Sequence, residues 1–210
     1  DLETRKDRFP RKTMAVEIEA RRMQIFNLRG QKKQAMESRH RAEKELKRIL
    51  PLLNSEEREK DLAQCYYFMG NLSLDKMTTE SVINYLEVFL TAQTYLFDAL
   101  HFDKTSWSTK SKTILFKHYT EFLHIFDLLS ENKESLNTKA PTKSKLGAEI
   151  SNSIYSGFLS LPQNIEKQNV VQKEVFAFLK GIDEHVQKKL YEAKELNPLT
   201  NQYFDLRGWK

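Results

Sequence analysis

The spacing of hydrophobic positions changes at Pro51 and divides the chain into two unlike parts. Before Pro51 the apolar side chains are sparse, and they follow an alternation of four and three residues from Met14 to Ile49. After Pro51 they recur every three or four residues along several segments, which predicts amphipathic helices around a shared core. The pattern therefore predicts an all-α protein.

The first part of the chain predicts one long helix. Pro10 suits the start of a helix and Pro51 its end, because proline fits a first turn but not a helix interior. About forty helical residues at 1.5 Å each would form a rod of roughly 60 Å. Its seven-residue seam is Met14, Ile18, Arg21, Ile25, Leu28, Lys32, Ala35, Arg39, Ala42, Leu46 and Ile49. Because the middle of this seam is thin and cationic, we interpret residues 1–50 as an extended basic helical arm rather than a self-sufficient coiled coil.

The remainder predicts an irregular bundle of about five helices over residues 51–196. The expected helices cover residues 56–69, 82–100, 109–130, 146–161 and 165–196. Gly70 and Asn71 are expected to close the first of them. The last fourteen residues, 197–210, contain Tyr203, Phe204 and Trp209, and we expect this aromatic tail to dock on the core or on a partner.

Charge separates the same two parts. The whole chain has a net charge of +5, yet the first fifty residues have fifteen Lys/Arg against eight Asp/Glu. Nine of the eleven arginines lie in those fifty residues, and the rest of the chain is slightly acidic. The basic character therefore belongs to the arm and not to the whole protein.

A basic arm of this kind predicts contact with RNA phosphates. Arginine presents a planar fork that makes paired hydrogen bonds to phosphate. The candidate RNA-binding residues are Arg21, Arg22, Arg29, Lys32, Lys33, Arg39, Arg41, Lys44, Lys47 and Arg48. We expect a non-enzymatic structural subunit of a larger assembly that has other protein subunits. A ribonucleoprotein, ribosome-like and possibly organellar, is the concrete form of this expectation.

The alternative is a protein-only scaffold or adaptor whose long helix pairs with a partner helix. The candidate partner-binding residues are Ile18, Ile25, Leu28, Leu46 and Ile49, together with Tyr203, Phe204 and Trp209 of the tail. A third interpretation is a solvated helix with internal ion pairs such as Glu43 with Lys47. Contact with a membrane surface is a minor interpretation, because the segment after Gly30 lacks the apolar face that it requires.

Enzyme chemistry has little support in the sequence. The glycine-rich phosphate loops, the nucleophile elbow and the H-E-x-x-H zinc motif are all missing, so we expect no enzyme, no cofactor and no metal. Two Glu-x-x-His pairs, Glu37 with His40 and Glu121 with His124, have the spacing of di-iron bundles, but a complete site needs further glutamates. Cys65 is expected to be buried and unreactive.

The single cysteine also favours an intracellular compartment, because no disulfide can form within the chain. The most apolar long window, residues 82–100, is interrupted by polar and acidic side chains and predicts a buried helix rather than a membrane span. These side chains are Asn84, Glu87, Gln93 and Asp98. Asp1 stands where an initiator Met would be, which is compatible with a processed mitochondrial protein without establishing one.

Overall fold

The computed structural model describes residues 13–52, 59–74, 82–131 and 143–192. Within these ranges the chain forms seven α-helices and no strand, which confirms the predicted all-α fold. The helices are α1 (Met14–Leu28), α2 (Lys32–Ile49), α3 (Glu59–Leu74), α4 (Val82–Ala99), α5 (Ser106–Ser130), α6 (Lys143–Leu159) and α7 (Val170–Glu192), with short 3₁₀ turns at Leu50–Leu52 and Ile165–Lys167. The aromatic tail with Tyr203, Phe204 and Trp209 lies outside the described residues.

The predicted single long helix is wrong, because the chain reverses at Gly30. Gly30 has φ +69°, a left-handed conformation through which a right-handed helix cannot continue. Its N–H donates to the carbonyl of Asn27, and the next N–H, of Gln31, donates to the carbonyl of Phe26. These two bonds form a Schellman motif, which ends α1 with its last carbonyls satisfied.

α1 and α2 pack against each other as an antiparallel pair, which we name the basic hairpin (residues 13–52). Across it, Arg41 Nε lies 3.0 Å from Glu19 Oε2. The heptad seam has the wrong register in α1, where the buried side chains are Val16, Ala20 and Met23. In α2 the predicted positions Ala35, Ala42, Leu46 and Ile49 are buried as expected.

The hairpin also packs against α3, and the three helices share one hydrophobic cluster. Leu46 and Ile49 lie in this cluster with Cys65, Phe68 and Leu72 of α3. At its edge, the buried Thr13 hydroxyl donates to Gln64 Oε1 at 3.1 Å. The division of the chain at residue 50 stays a prediction, but these contacts tie the hairpin to the first helix of the bundle.

The second cluster is formed by α4 to α7 together with Leu74 at the end of α3, and α5 is at its centre. Tyr119, Phe122 and Phe126 of α5 are fully buried at positions three and four residues apart, as their spacing predicted. α5 begins three residues earlier than predicted, because the Thr105 hydroxyl accepts a hydrogen bond from the N–H of Ser108 and caps the helix. Tyr67 of α3 packs on both clusters and joins them.

Candidate nucleic-acid interface

The ten cations predicted to bind RNA all lie on the basic hairpin, but they fall into two groups. Five arginines form ion pairs with glutamates of the hairpin itself. These are Arg21 with Glu17 (2.7 Å), Arg22 and Arg41 with Glu19 (2.7 and 3.0 Å), Arg48 with Glu45 (2.8 Å) and Arg39 with Glu43 (3.6 Å). These arginines have much of their charge neutralised within the chain, so they are weaker candidates for phosphate contact than their number suggested.

Glu19 is the most strongly held of these carboxylates. Burial alone would raise the pKa of Glu19, but the hydrogen bonds and charges of Arg41 and Arg22 outweigh it and lower that pKa. The carboxylate therefore remains ionised and bridges the two helices of the hairpin. Arg41 is a surface cation, and through Glu19 it also links α2 to α1.

The other five cations have no carboxylate partner among the described residues. Arg29, Lys32 and Lys33 lie at the turn of the hairpin, and Lys44 and Lys47 lie on the solvent face of α2; all five are exposed. Unpaired, exposed cations are the groups that can neutralise phosphates at the lowest desolvation cost. They are the part of the predicted set that the structure leaves available.

Three of these lysines form one line along α2, which we name the lysine stripe (Lys33, Lys44 and Lys47). With Glu37 and His40 between them, the positions follow spacings of four and three, so all five fall on one helix face. At 1.5 Å per residue the stripe is about 21 Å long. Its one carboxylate, Glu37, reduces the net charge but leaves both ends cationic.

The predicted partner-binding residues of the hairpin also fall into two groups, one buried and one exposed. Leu46 and Ile49 are 0% and 1% exposed in the chain's own core, so their burial removes them from any partner surface. On α1, by contrast, Ile18, Ile25 and Leu28 are 43%, 46% and 89% exposed, because the helix turns its other face toward α2 and α3. These three side chains form an apolar edge on the outside of the hairpin.

A cleft of about 730 Å³ lies between the turn of the hairpin and α5, and no pattern in the sequence indicated it. On its polar side, the Tyr85 hydroxyl donates to Glu121 Oε2 at 2.6 Å and contacts His118 Nδ1. Burial lowers the pKa of His118, although the nearby Glu121 carboxylate opposes this effect. The His118 and Glu121 spacing of three residues on α5 was the only signal for this group, and Tyr85 is too distant in sequence to complete it.

Neither Glu-x-x-His pair is part of a ligand cluster in the described residues, where no three His, Cys, Asp or Glu side chains surround a common point. Glu121 is held by Tyr85, and Glu37 is on the exposed face of α2. Cys65 is fully buried as predicted, and burial, with a smaller effect of Asp61, raises the pKa of its thiol to about 12. The thiol is therefore protonated at neutral pH and is a poor nucleophile.

In the described part of the chain, no helix combines the length and apolar character needed to cross a membrane.

The fold and the charge distribution define an all-α protein whose first two described helices form a basic hairpin. Comparison with protein-family models, curated proteins and solved structures found no match to the chain.

Proposed function

We propose that the protein is a non-enzymatic structural subunit of a ribonucleoprotein assembly and that its basic hairpin binds RNA phosphates. The observation that supports this proposal is the set of five exposed cations without carboxylate partners at the turn and along the lysine stripe. The hairpin packs against α3 through a shared hydrophobic cluster, and α3 in turn contacts α4 and α5.

The contact would be made to the RNA backbone rather than to base edges. Lysine ammonium groups neutralise phosphates and release counterions, which gives affinity with little sequence preference. The stripe is about 21 Å long and straight, so it suits the phosphates that line a groove of an A-form helix. A ribosome-like or organellar assembly is the finer form of this proposal.

The test compares two triple variants with the same change in net charge. Lys33→Gln/Lys44→Gln/Lys47→Gln removes the lysine stripe, and Lys104→Gln/Lys145→Gln/Lys173→Gln removes three exposed lysines outside the hairpin. Binding to a labelled RNA duplex of about 20 base pairs is measured by fluorescence anisotropy. The stripe variant should lose about tenfold to a hundredfold in affinity, and the matched control should stay within about threefold of the unchanged protein.

Equal losses in the two variants would show that only net charge matters and would reject the hairpin as the interface. Circular dichroism controls for folding; since all six lysines are exposed and without ion pairs in the described structure, both variants should keep the helical spectrum of the unchanged protein.

The second candidate function is a protein-only scaffold, and the exposed edge of Ile18, Ile25 and Leu28 favours it. Three large apolar side chains on one helix side are typical of a site where a partner helix packs. Ile18→Ser/Ile25→Ser should then abolish co-purification of a protein partner while leaving RNA affinity unchanged. If RNA affinity falls with this variant and no protein partner is lost, the edge serves the RNA interface instead.

A further inference from the structure

The cleft beside the hairpin has the dimensions and chemistry of a small-molecule site. Its volume of about 730 Å³ falls within the roughly 300–1,000 Å³ that is usual for ligand pockets. It is bounded by α1, the turn at Gly30, α2, α3, α4 and α5. Five helices that meet around one half-open space form a concave site, whereas the lysine stripe is a convex surface.

Part of the cleft lining is apolar, and we name these side chains the apolar wall: Met23, Ala35, Leu74, Met36 and Ile114. The first three are 2%, 4% and 8% exposed. Flat organic rings pack well against such a wall, and methionine sulfur makes favourable contacts with aromatic rings. The body of a ligand in this cleft would therefore be apolar or aromatic.

The other lining groups are cationic in sum. Lys32, Arg39 and Lys117 line the cleft, and Glu121 is the single carboxylate among the residues that do so. Glu121 is already the acceptor of the Tyr85 hydroxyl. Because burial lowers the pKa of His118, its imidazole is neutral at pH 7 and adds no charge. Arg39 is ion-paired with Glu43, which does not line the cleft, so Lys32 and Lys117 are the lining cations without an ion pair in the described structure. Their two charges against the one carboxylate of Glu121 leave the lining positive, which attracts an anion.

Arg39 is incompletely satisfied at this site. Its side chain is 16% exposed, and its Nε atom is buried without a hydrogen-bond partner. The nearest oxygen of Glu43 is 3.6 Å away, which is too far for a hydrogen bond. Because Nε is buried, a ligand oxygen in the cleft would accept from the outer N–H groups of the Arg39 guanidinium and not from Nε.

The start of α2 at the edge of the cleft also lacks a negative group. Gln31 makes no side-chain cap, and the first turn contains Lys32 and Lys33 but no acidic residue. The first N–H groups of a helix have no partners within it, and the positive end of the helix dipole attracts anions. An anion in the cleft would provide a negative charge near the N-terminus of α2, where the helix has no side-chain cap and no acidic residue in its first turn.

We propose that the cleft binds a phosphomonoester of an aromatic or heteroaromatic compound, with the phosphate held by Lys32, Arg39 and Lys117 and the ring against the apolar wall. The phosphate oxygens match the fork of Arg39 and two lysine point charges. This site goes beyond the proposed RNA contact. It shares Lys32 with the turn of the hairpin, but Lys117 is on α5 and no residue of the lysine stripe lines the cleft.

The test is calorimetric titration of the full chain with adenosine 5′-monophosphate, with adenosine and with inorganic phosphate. The monophosphate should bind saturably with Kd below about 1 mM, and each fragment should bind at least about tenfold more weakly, since each makes only half of the contacts. Lys117→Gln should weaken monophosphate binding at least about tenfold. Lys173→Gln, an exposed lysine on α7, is the matched control and should leave it unchanged.

No saturable binding of the monophosphate up to about 10 mM would overturn the proposal. Equal affinities of Lys117→Gln and Lys173→Gln would overturn it as well. Displacement of the monophosphate by the RNA duplex would assign the cleft to a phosphate of RNA and reject a separate small-molecule site. Conversely, the lysine-stripe variant should lose RNA affinity and keep monophosphate affinity, so the two proposals can fail independently.

Discussion

Gly70 shows how one residue type can have opposite structural roles. The sequence predicted that Gly70 ends a helix, but α3 continues through it to Leu74. A Cβ atom at position 70 would lie 2.6 Å from Leu96 Cγ and 3.1 Å from the Ala92 carbonyl oxygen of α4. Glycine is therefore required for the close approach of two helices and not for a positive φ angle.

Gly70→Ala should destabilise the protein by about 1–3 kcal/mol, because α3 and α4 must separate to accept the methyl group. The measurement is the free energy of unfolding in urea. The matched control is Gly181→Ala in α7, where a Cβ meets nothing within 4 Å. Removal of a glycine from an open helix position should raise stability by up to about 1 kcal/mol. A Gly70→Ala protein at least as stable as the unchanged protein would contradict the close packing of α3 on α4.

His118 makes the stability of the folded chain depend on pH. Burial lowers its pKa below the ordinary 6.5, with Lys117 acting in the same direction and the Glu121 carboxylate against it. The unfolded chain then binds more protons than the folded chain, so this contribution is complete above pH 6.5 and is lost as pH falls through 6.5 toward the folded pKa.

The free energy of unfolding should therefore decrease between pH 7.5 and pH 5.5, and His118→Gln should show a smaller decrease over the same interval. Urea titrations of both proteins at several pH values measure the difference. An identical pH dependence in the variant would show that other groups cause the loss of stability.

Among the helices, the reversal at Gly30 is the largest departure from the sequence prediction. The alternation of four and three residues could be followed through Gly30 only by placing Lys32 and Arg39 in a core. In the structure the alternation restarts, and α1 buries Val16, Ala20 and Met23 instead. In the sequence prediction, the periodicity favoured one continuous helix more than the single glycine favoured a break. In the structure, the positive φ angle of Gly30 produces the reversal.

Gly30→Ala tests the reversal directly. A hairpin requires φ +69° at this position, so alanine should destabilise it by roughly 1–2 kcal/mol, and Gly30→Asn should cost less because asparagine tolerates this conformation. Thermal unfolding followed by circular dichroism measures both variants. In a continuous helix the order would be reversed, since alanine is the best helix former, and a stabilised Gly30→Ala protein would contradict the hairpin.

The helices of the second cluster were predictable because their apolar spacing is regular. α5 was expected over residues 109–130 and runs over Ser106–Ser130. α7 was expected to begin at residue 165 and begins at Val170, after a 3₁₀ turn at Ile165–Lys167. The cleft was not predictable from spacing, because Lys32, Tyr85 and Lys117 come from three helices far apart in sequence. Of the five arginine–glutamate pairs, only Arg41 with Glu19 crosses the hairpin and depends on a tertiary contact. The other four join residues three or four apart on one helix, a spacing that the sequence itself contains.

In the molecule as a whole, the net positive charge lies in one structural part, the basic hairpin. Residues 13–52 contain ten Lys/Arg and five Asp/Glu, so the basic hairpin has a net charge of +5, the same as the complete chain. The structure shows that this charge is not evenly available, because five arginines are engaged by hairpin glutamates. Phosphate binding is therefore proposed for the turn of the hairpin and the lysine stripe.

The most direct test of this assignment is the salt dependence of RNA affinity. The logarithm of the binding constant falls linearly with the logarithm of salt concentration, and the slope counts the phosphates that are neutralised. Replacing Lys33, Lys44 and Lys47 by Gln should make the slope shallower by about 2 to 3 units, because each lysine contributes about 0.7–0.9. The control variant, with Lys104, Lys145 and Lys173 replaced, should keep the original slope. Equal slopes for the two variants would contradict the proposal that the basic hairpin is the RNA-binding surface.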